Sequence, residues 1–162
     1  TNEARIRRWA RGETRVSSTH FVILRDGRLL QTCPLTDRPW HAKGSAWETP
    51  EGRTVLNINN RAIAVDLECV GPLTKGPAGK LQDSYGGGFG GPAELCGGRW
   101  WEAYTDAQVK TLVGLAALLV SVFPILKDPA RWVGHCDIRK TKPDPGPHFP
   151  WATLRNTLEA LP

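Results

Sequence analysis

His135 and Asp144 stand nine positions apart in the run Gly134-His135-Cys136-Asp137-Ile138-Arg139-Lys140-Thr141-Lys142-Pro143-Asp144-Pro145-Gly146-Pro147, the chain's densest gathering of metal-competent and proton-handling groups. Proline lacks an N–H donor and disfavours the helical region for its predecessor, so Pro143 and Pro145 keep the histidine and the carboxylate off a shared helix face. The segment must curl as a loop. Such a loop can bring the His135 imidazole and the Asp144 carboxylate around one cation, with Lys142 two residues from Asp144. Imidazole nitrogen and carboxylate oxygen are ordinary zinc donors, and the pattern has the shape of a zinc site. Cys136 follows His135 directly. In an extended segment neighbouring side chains point to opposite sides, so Cys136 is expected to face away from the metal. Asp137 is expected to bond the local backbone or orient a ligand.

Two further carboxylates lie on one face of a candidate strand. Over Arg61 to Val70 the alternation puts Ile63, Val65, Leu67 and Cys69 on an apolar face and Ala62, Ala64, Asp66 and Glu68 on the other. Asp66 and Glu68 on a face otherwise lined by alanine read either as a shallow floor open to a ligand or as the polar outer face of an amphipathic strand. Trp40, Trp47, Trp100 and Trp101 offer flat faces for sugar rings, or pack the core. His148, past the Pro-Gly-Pro turn, reads as an exposed loop side chain. Cys33, Cys69, Cys96 and Cys136 lack Cys-x-x-Cys spacing; they are buried free thiols, or form one or two disulfides in an exported protein.

The block Gly134-His135-Cys136-Asp137-Ile138 followed by Lys142-Pro143-Asp144-Pro145-Gly146-Pro147 resembles the zinc-dependent N-acetylmuramoyl-L-alanine amidases, the type-2 amidase and peptidoglycan recognition protein family. Val16 to Ile23 leading into Arg25-Asp26-Gly27, Trp40-His41-Ala42 and Ile63 to Glu68 match in the same order, so the resemblance spans most of the chain. It implies a single α/β domain with a central mixed β-sheet flanked by helices. It also implies Zn2+ as cofactor, with His135 and Asp144 as two of its three protein ligands, and Lys142 as the lysine beside the metal. Asp66 falls where many relatives carry a glutamate; it, or Glu68 two residues on, is expected as general base. His20 and His41 match family blocks away from ligand positions, and Trp40, His41 and Trp100 are candidates for the substrate groove. The implied reaction is hydrolysis of the amide between N-acetylmuramic acid and L-alanine, in peptidoglycan or its fragments.

One departure matters. The family's first zinc ligand is a histidine on a strand before the helix that Asn2 to Trp9 resembles. An upstream segment supplying the third ligand is therefore one expectation. A non-catalytic muropeptide-binding module that has lost its metal is the alternative.

The remaining residues set the frame. The 162 residues suit one domain with one core, and 40% hydrophobic residues with seven tryptophans are globular in character. A net charge of +5 suits an anionic partner such as cell wall. A nucleic-acid partner, suggested by the arginines from Arg5 to Arg15, is not expected, because no nucleic-acid motif follows them. The apolar stretch Val109 to Phe123 is too short to span a membrane, and no signal peptide is evident. Asn2 can cap a helix over Glu3 to Arg11. His20 to Leu24 and Arg28 to Thr32 should pair antiparallel across Asp26-Gly27, a two-residue hairpin signal. Gly71 to Gly98 reads as a long Gly/Pro-rich loop or insert without a phosphate-binding signature. Thr105 and Gln108 form a capping box opening a helix that presents Val109, Leu112, Val113, Ala116, Leu119 and Val120 to the sheet. Arg131 to Gly134 is expected to be a short strand, and Pro150 to start a final helix through Ala160.

Overall fold

A computed structural model of the protein describes residues 17–162; the helix expected over Glu3 to Arg11 lies outside them. Strands β1 (Phe21–Ile23) and β2 (Leu29–Gln31) pair antiparallel, and β1 pairs in parallel with β5 (Val65–Leu67), giving a mixed sheet of order β2-β1-β5. The hairpin loop has three residues rather than two: Ile23 faces Leu29, Leu24 N–H donates to Arg28 O, and Gly27 takes a φ of 86°. That left-handed residue favours glycine, and an added Cβ would also meet Ala107 at 3.0 Å.

Every residue of β1 is buried because the strand is central and covered on both faces. The helix α1 (Asp106–Val122) covers one face, with Leu115 and Leu119 against Phe21. On the other face Val22 and Leu24 pack with Leu30. Asp66 is in register with Val22, so alternation puts it on the sheet face opposite α1. The regular strand at Asp66 is three residues long, much shorter than the 61–70 run expected.

The capping box forms as read: Gln108 N–H donates to Thr105 Oγ1 and Thr105 N–H to Gln108 Oε1, both at 3.1 Å. The fully buried Gln108 does more, donating through Nε2 to the carbonyls of Glu68 at 2.9 Å and Ile23 at 3.4 Å. One side chain thus joins the helix start to the ends of β5 and β1. Leu112, Ala116, Leu119 and Val120 are buried as expected, Val109 and Val113 only partly, and Leu115 is a further buried contact.

Residues 71–98 are not an irregular loop. They carry β6 (Pro72–Lys75), β7 (Leu81–Gln82) and β8 (Ala93–Cys96), which join β9 (Arg99–Glu102) in an antiparallel sheet of order β7-β6-β9-β8. The glycines that suggest irregularity lie largely in turns between short strands. Gly97 and Gly98, at φ 59° and 76°, form the two-residue turn of the β8–β9 hairpin. A separate ribbon of β3 (Ala46–Glu48) and β4 (Thr54–Leu56) packs Trp47 and Val55 toward Ala42, Ile58 and Ile138.

Arg131 to Gly134 is no strand. Asp128 caps a tight turn over Pro129–Arg131 by accepting from Ala130 N–H at 3.0 Å, and the chain then leads into the single helical turn α2 (His135–Ile138). The final helix α3 (Trp151–Ala160) starts after Pro150 and packs Leu154 and Leu158 on Ala116 and Val120. Among the described residues no helix is long and apolar enough to cross a membrane.

Candidate active site

The loop from Gly134 to Pro147 is closed by its own backbone. Asp137 caps α2 by accepting from Gly134 N–H at 2.7 Å, the local role expected of it. Cys136 N–H donates to Asp144 O at 2.8 Å, and Lys142 N–H to Arg139 O at 2.9 Å. Only glycine fits at 134, since an added Cβ would come within 2.6 Å of Pro145 Cδ. These bonds bring His135 Nδ1 to 2.9 Å from Asp144 Oδ2.

Burial opposes ionisation of Asp144, but the hydrogen bond and charge of His135, its own backbone amide and the charge of Lys142 outweigh it and hold the carboxyl below its ordinary value. Among the described residues, the buried His135 Nε2 atom meets no hydrogen-bond partner. Because α2 is a helical turn, the strand-like alternation expected for His135 and Cys136 does not apply. The Cys136 thiol lies near Asp137 and is pushed up by burial and then by that charge. All four cysteines are free.

Asp66 reaches the same place from the sheet. Burial first, then the like charge of Asp144, push its carboxyl up to about 6, with His135 opposing. Yet the residue keeps open surface to solvent. Glu68 is drawn elsewhere: its carboxylate accepts from Arg25 N–H at 3.0 Å, at the strand end held by Gln108.

His41 is half-buried, its imidazole pushed down to about 4 by desolvation and by the charges of His20 and His135, against the Pro39 backbone. It is neutral at ordinary pH. His20 is structural, accepting from Ala64 N–H at 3.0 Å and so pinning the entry of β5 to β1. Trp40 is 52% exposed, with the Arg38 guanidinium 4.8 Å from its ring centroid. Trp100 faces Leu73 and Leu95 across its sheet. The next residue, Trp101, points the other way and meets Gly146 in the loop.

His148 is not an exposed side chain. It is half-buried, stacks on Tyr104 with ring centroids 4.9 Å apart, and donates through Nε2 to Glu102 O at 3.0 Å. Tyr104 in turn donates its hydroxyl to Pro145 O at 2.9 Å. Neither residue carries a sequence signal for this role, because the contacts cross from one sheet to a distant loop.

The loop pair suits a cation. His135 Nδ1 and Asp144 Oδ2 converge, and imidazole nitrogen and carboxylate oxygen are both ordinary zinc donors. Among the described residues no group of three or more His, Cys, Asp or Glu side chains could hold a metal, so the pair supplies two donors.

The family profile described as N-acetylmuramoyl-L-alanine amidase matches residues 1–147. The chain is 30% identical over 139 residues to the 1,6-anhydro-N-acetylmuramyl-L-alanine amidase AmpD of Citrobacter freundii, covering 85% of this chain and 55% of that protein. It is 32% identical over 144 residues to AmpD of Haemophilus influenzae, covering 88% and 59%. The chain therefore spans little more than half the length of these relatives. The AmiD amidase of E. coli, solved with anhydro-N-acetylmuramic acid-L-Ala-D-gamma-Glu-L-Lys, superposes with a TM-score of 0.65 at 25% identity, covering 89% of this chain and 49% of that one.

Proposed function

The chain belongs to the N-acetylmuramoyl-L-alanine amidase family, and we propose that it hydrolyses the amide between N-acetylmuramic acid and L-alanine in peptidoglycan or its fragments. The observation that carries this reading is the His135–Asp144 pair at 2.9 Å, close enough to Asp66, on a strand far away in the chain, for its charges to act on that carboxyl. The bond is the one cleaved by the amidases this chain resembles, as their names state.

His135 and Asp144 would hold zinc, which when bound polarises a carbonyl and lowers the pKa of water toward ~7. Asp66, whose carboxyl burial and the charge of Asp144 make more basic than usual, accepts the proton of the attacking water and returns it to the leaving amine. Glu68 is engaged by the Arg25 amide, which favours Asp66 for this task. Lys142, close enough to bias Asp144, opposes the negative charge that develops on the carbonyl oxygen, an effect worth ~3 to 4 kcal/mol. The exposed Trp40 ring beside Arg38 and the neutral His41 offer contacts for the sugar and peptide. A basic chain of net charge +5 favours a wall polymer rich in carboxylates.

The test is peptide release from anhydro-N-acetylmuramyl-tripeptide, followed by chromatography and mass spectrometry. Release that stops with a chelator and returns with zinc is the expected result; none from zinc-saturated protein defeats the reading. One observation favours a second reading, a muropeptide-binding module without turnover: the described residues offer two metal donors only. It requires binding that survives the chelator with no peptide released.

A further inference from the structure

We infer that Tyr104 is a positioning residue for the metal-binding loop: its hydroxyl holds the Pro145 carbonyl and so fixes Asp144 against His135. The inference rests on the zinc reading above. Asp144 is gripped at two successive carbonyls. Its own accepts from Cys136 N–H at 2.8 Å, inside the loop, and the next, that of Pro145, accepts from Tyr104 at 2.9 Å, from a segment 41 positions away. The second bond ties the loop to the rest of the fold. Two successive carbonyls held from different directions fix the orientations of the Asp144–Pro145 and Pro145–Gly146 peptides, and with them where the Asp144 side chain leaves the backbone.

The tyrosine is itself held. Its ring stacks on His148 at 13° between planes, and His148 lies 5.4 Å from the Trp101 ring and bonds the Glu102 carbonyl. Glu102 is anchored by Val70 N–H at 2.6 Å and lies 3.4 Å from the Arg25 guanidinium. Trp101 leaves room only for glycine at 146, where an added Cβ would come 2.9 Å from the indole and φ is +88°. The second sheet thus forms a wall against which the loop is set. Burial above all keeps the Tyr104 phenol protonated, so it is a permanent donor. Groups that orient metal ligands in this way typically change metal affinity 10- to 100-fold when removed.

The experiment compares zinc dissociation constants, by competition with a chromophoric chelator, for the wild type, Tyr104→Phe and Thr111→Val. Phenylalanine keeps the stack on His148 and removes only the hydroxyl. Thr111→Val removes a hydroxyl-to-carbonyl bond of similar length, 2.7 Å to Gly27 O, on the helix side of the sheet. We expect Tyr104→Phe to bind zinc about 10- to 100-fold more weakly, with the absorption bands of the cobalt-substituted protein shifted. Thr111→Val should match the wild type in both. His148→Ala, which removes the ring beneath Tyr104, should weaken zinc binding in the same sense. Wild-type affinity in both Tyr104→Phe and His148→Ala overturns the inference and leaves the zinc reading standing. A wild-type protein that takes up no zinc overturns both. A purely structural role would lower the melting temperature of the metal-free protein and leave zinc affinity unchanged.

Discussion

Replacing Asp66 by asparagine should stabilise the metal-free protein at neutral pH while slowing turnover severely. Burial and the neighbouring Asp144 push the Asp66 carboxyl up to about 6, whereas aspartates in the unfolded chain titrate near ~3.9. Between those values the native state binds more protons than the unfolded chain. The stability this group contributes is therefore complete below about pH 4 and lost as pH rises through about 6. Asparagine cannot ionise and escapes the loss. The gap corresponds to at most about 3 kcal/mol. Water on the open side of the carboxylate screens the charge, and about 1 kcal/mol is a fair discounted value. That is a rise of about 2 to 4 °C in Tm for a chain of this size. Calorimetric melts of chelator-treated wild type and Asp66→Asn at pH 4 and pH 7.5 should coincide at the lower pH and separate, variant higher, at the upper. A variant that melts lower at pH 7.5, or gains equally at both, would refute the reasoning. Loss of the base should cost the reaction about 10²- to 10⁴-fold.

Lys142→Ala should leave zinc bound and reduce turnover by about 10²- to 10³-fold; single-turnover kinetics beside zinc analysis separate the two effects, and an unchanged rate removes Lys142 from the chemistry. Gln108→Leu should cost about 3 kcal/mol, because it strands the Glu68 and Ile23 carbonyls and the Thr105 amide in a buried site. Denaturant melts of the two proteins check it, and a loss below about 1 kcal/mol would show that water replaces the side chain.

Local signals in the sequence survived folding. The Thr105–Gln108 box, the Asp26-Gly27 turn and the His135–Asp144 loop each depend on residues within nine positions of one another, where spacing alone constrains geometry. The Asp66 face of β5 followed from alternation. What spacing could not reveal depends on distant contacts. The strands within 71–98 exist because short segments pair with β9 and one another, and their many glycines look like disorder until each turn is placed. Arg131 to Gly134 has strand-like residues, but Asp128 capped a turn there instead. His148 reads as exposed because nothing near it in the chain announces Tyr104 or Trp101. Glu68 and Asp66 look equivalent two residues apart; the Arg25 amide that engages one and the charges of Asp144 and His135 that act on the other distinguish them.

The parallel pairing of β1 with β5 has a kinetic consequence. The β1–β2 hairpin and the His135–Asp144 loop close over short spans, but His20 must find Ala64 across 44 positions, and Gln108 must reach Ile23 across 85, before the strand carrying Asp66 is fixed. Such long closures carry an entropic cost before any contact offsets it. A chain growing from its N-terminus therefore has its hairpin well before it has a reactive surface, and it gains that surface only after α1 has emerged and docked. Mild denaturation should run the sequence backwards, silencing the site while most helix remains.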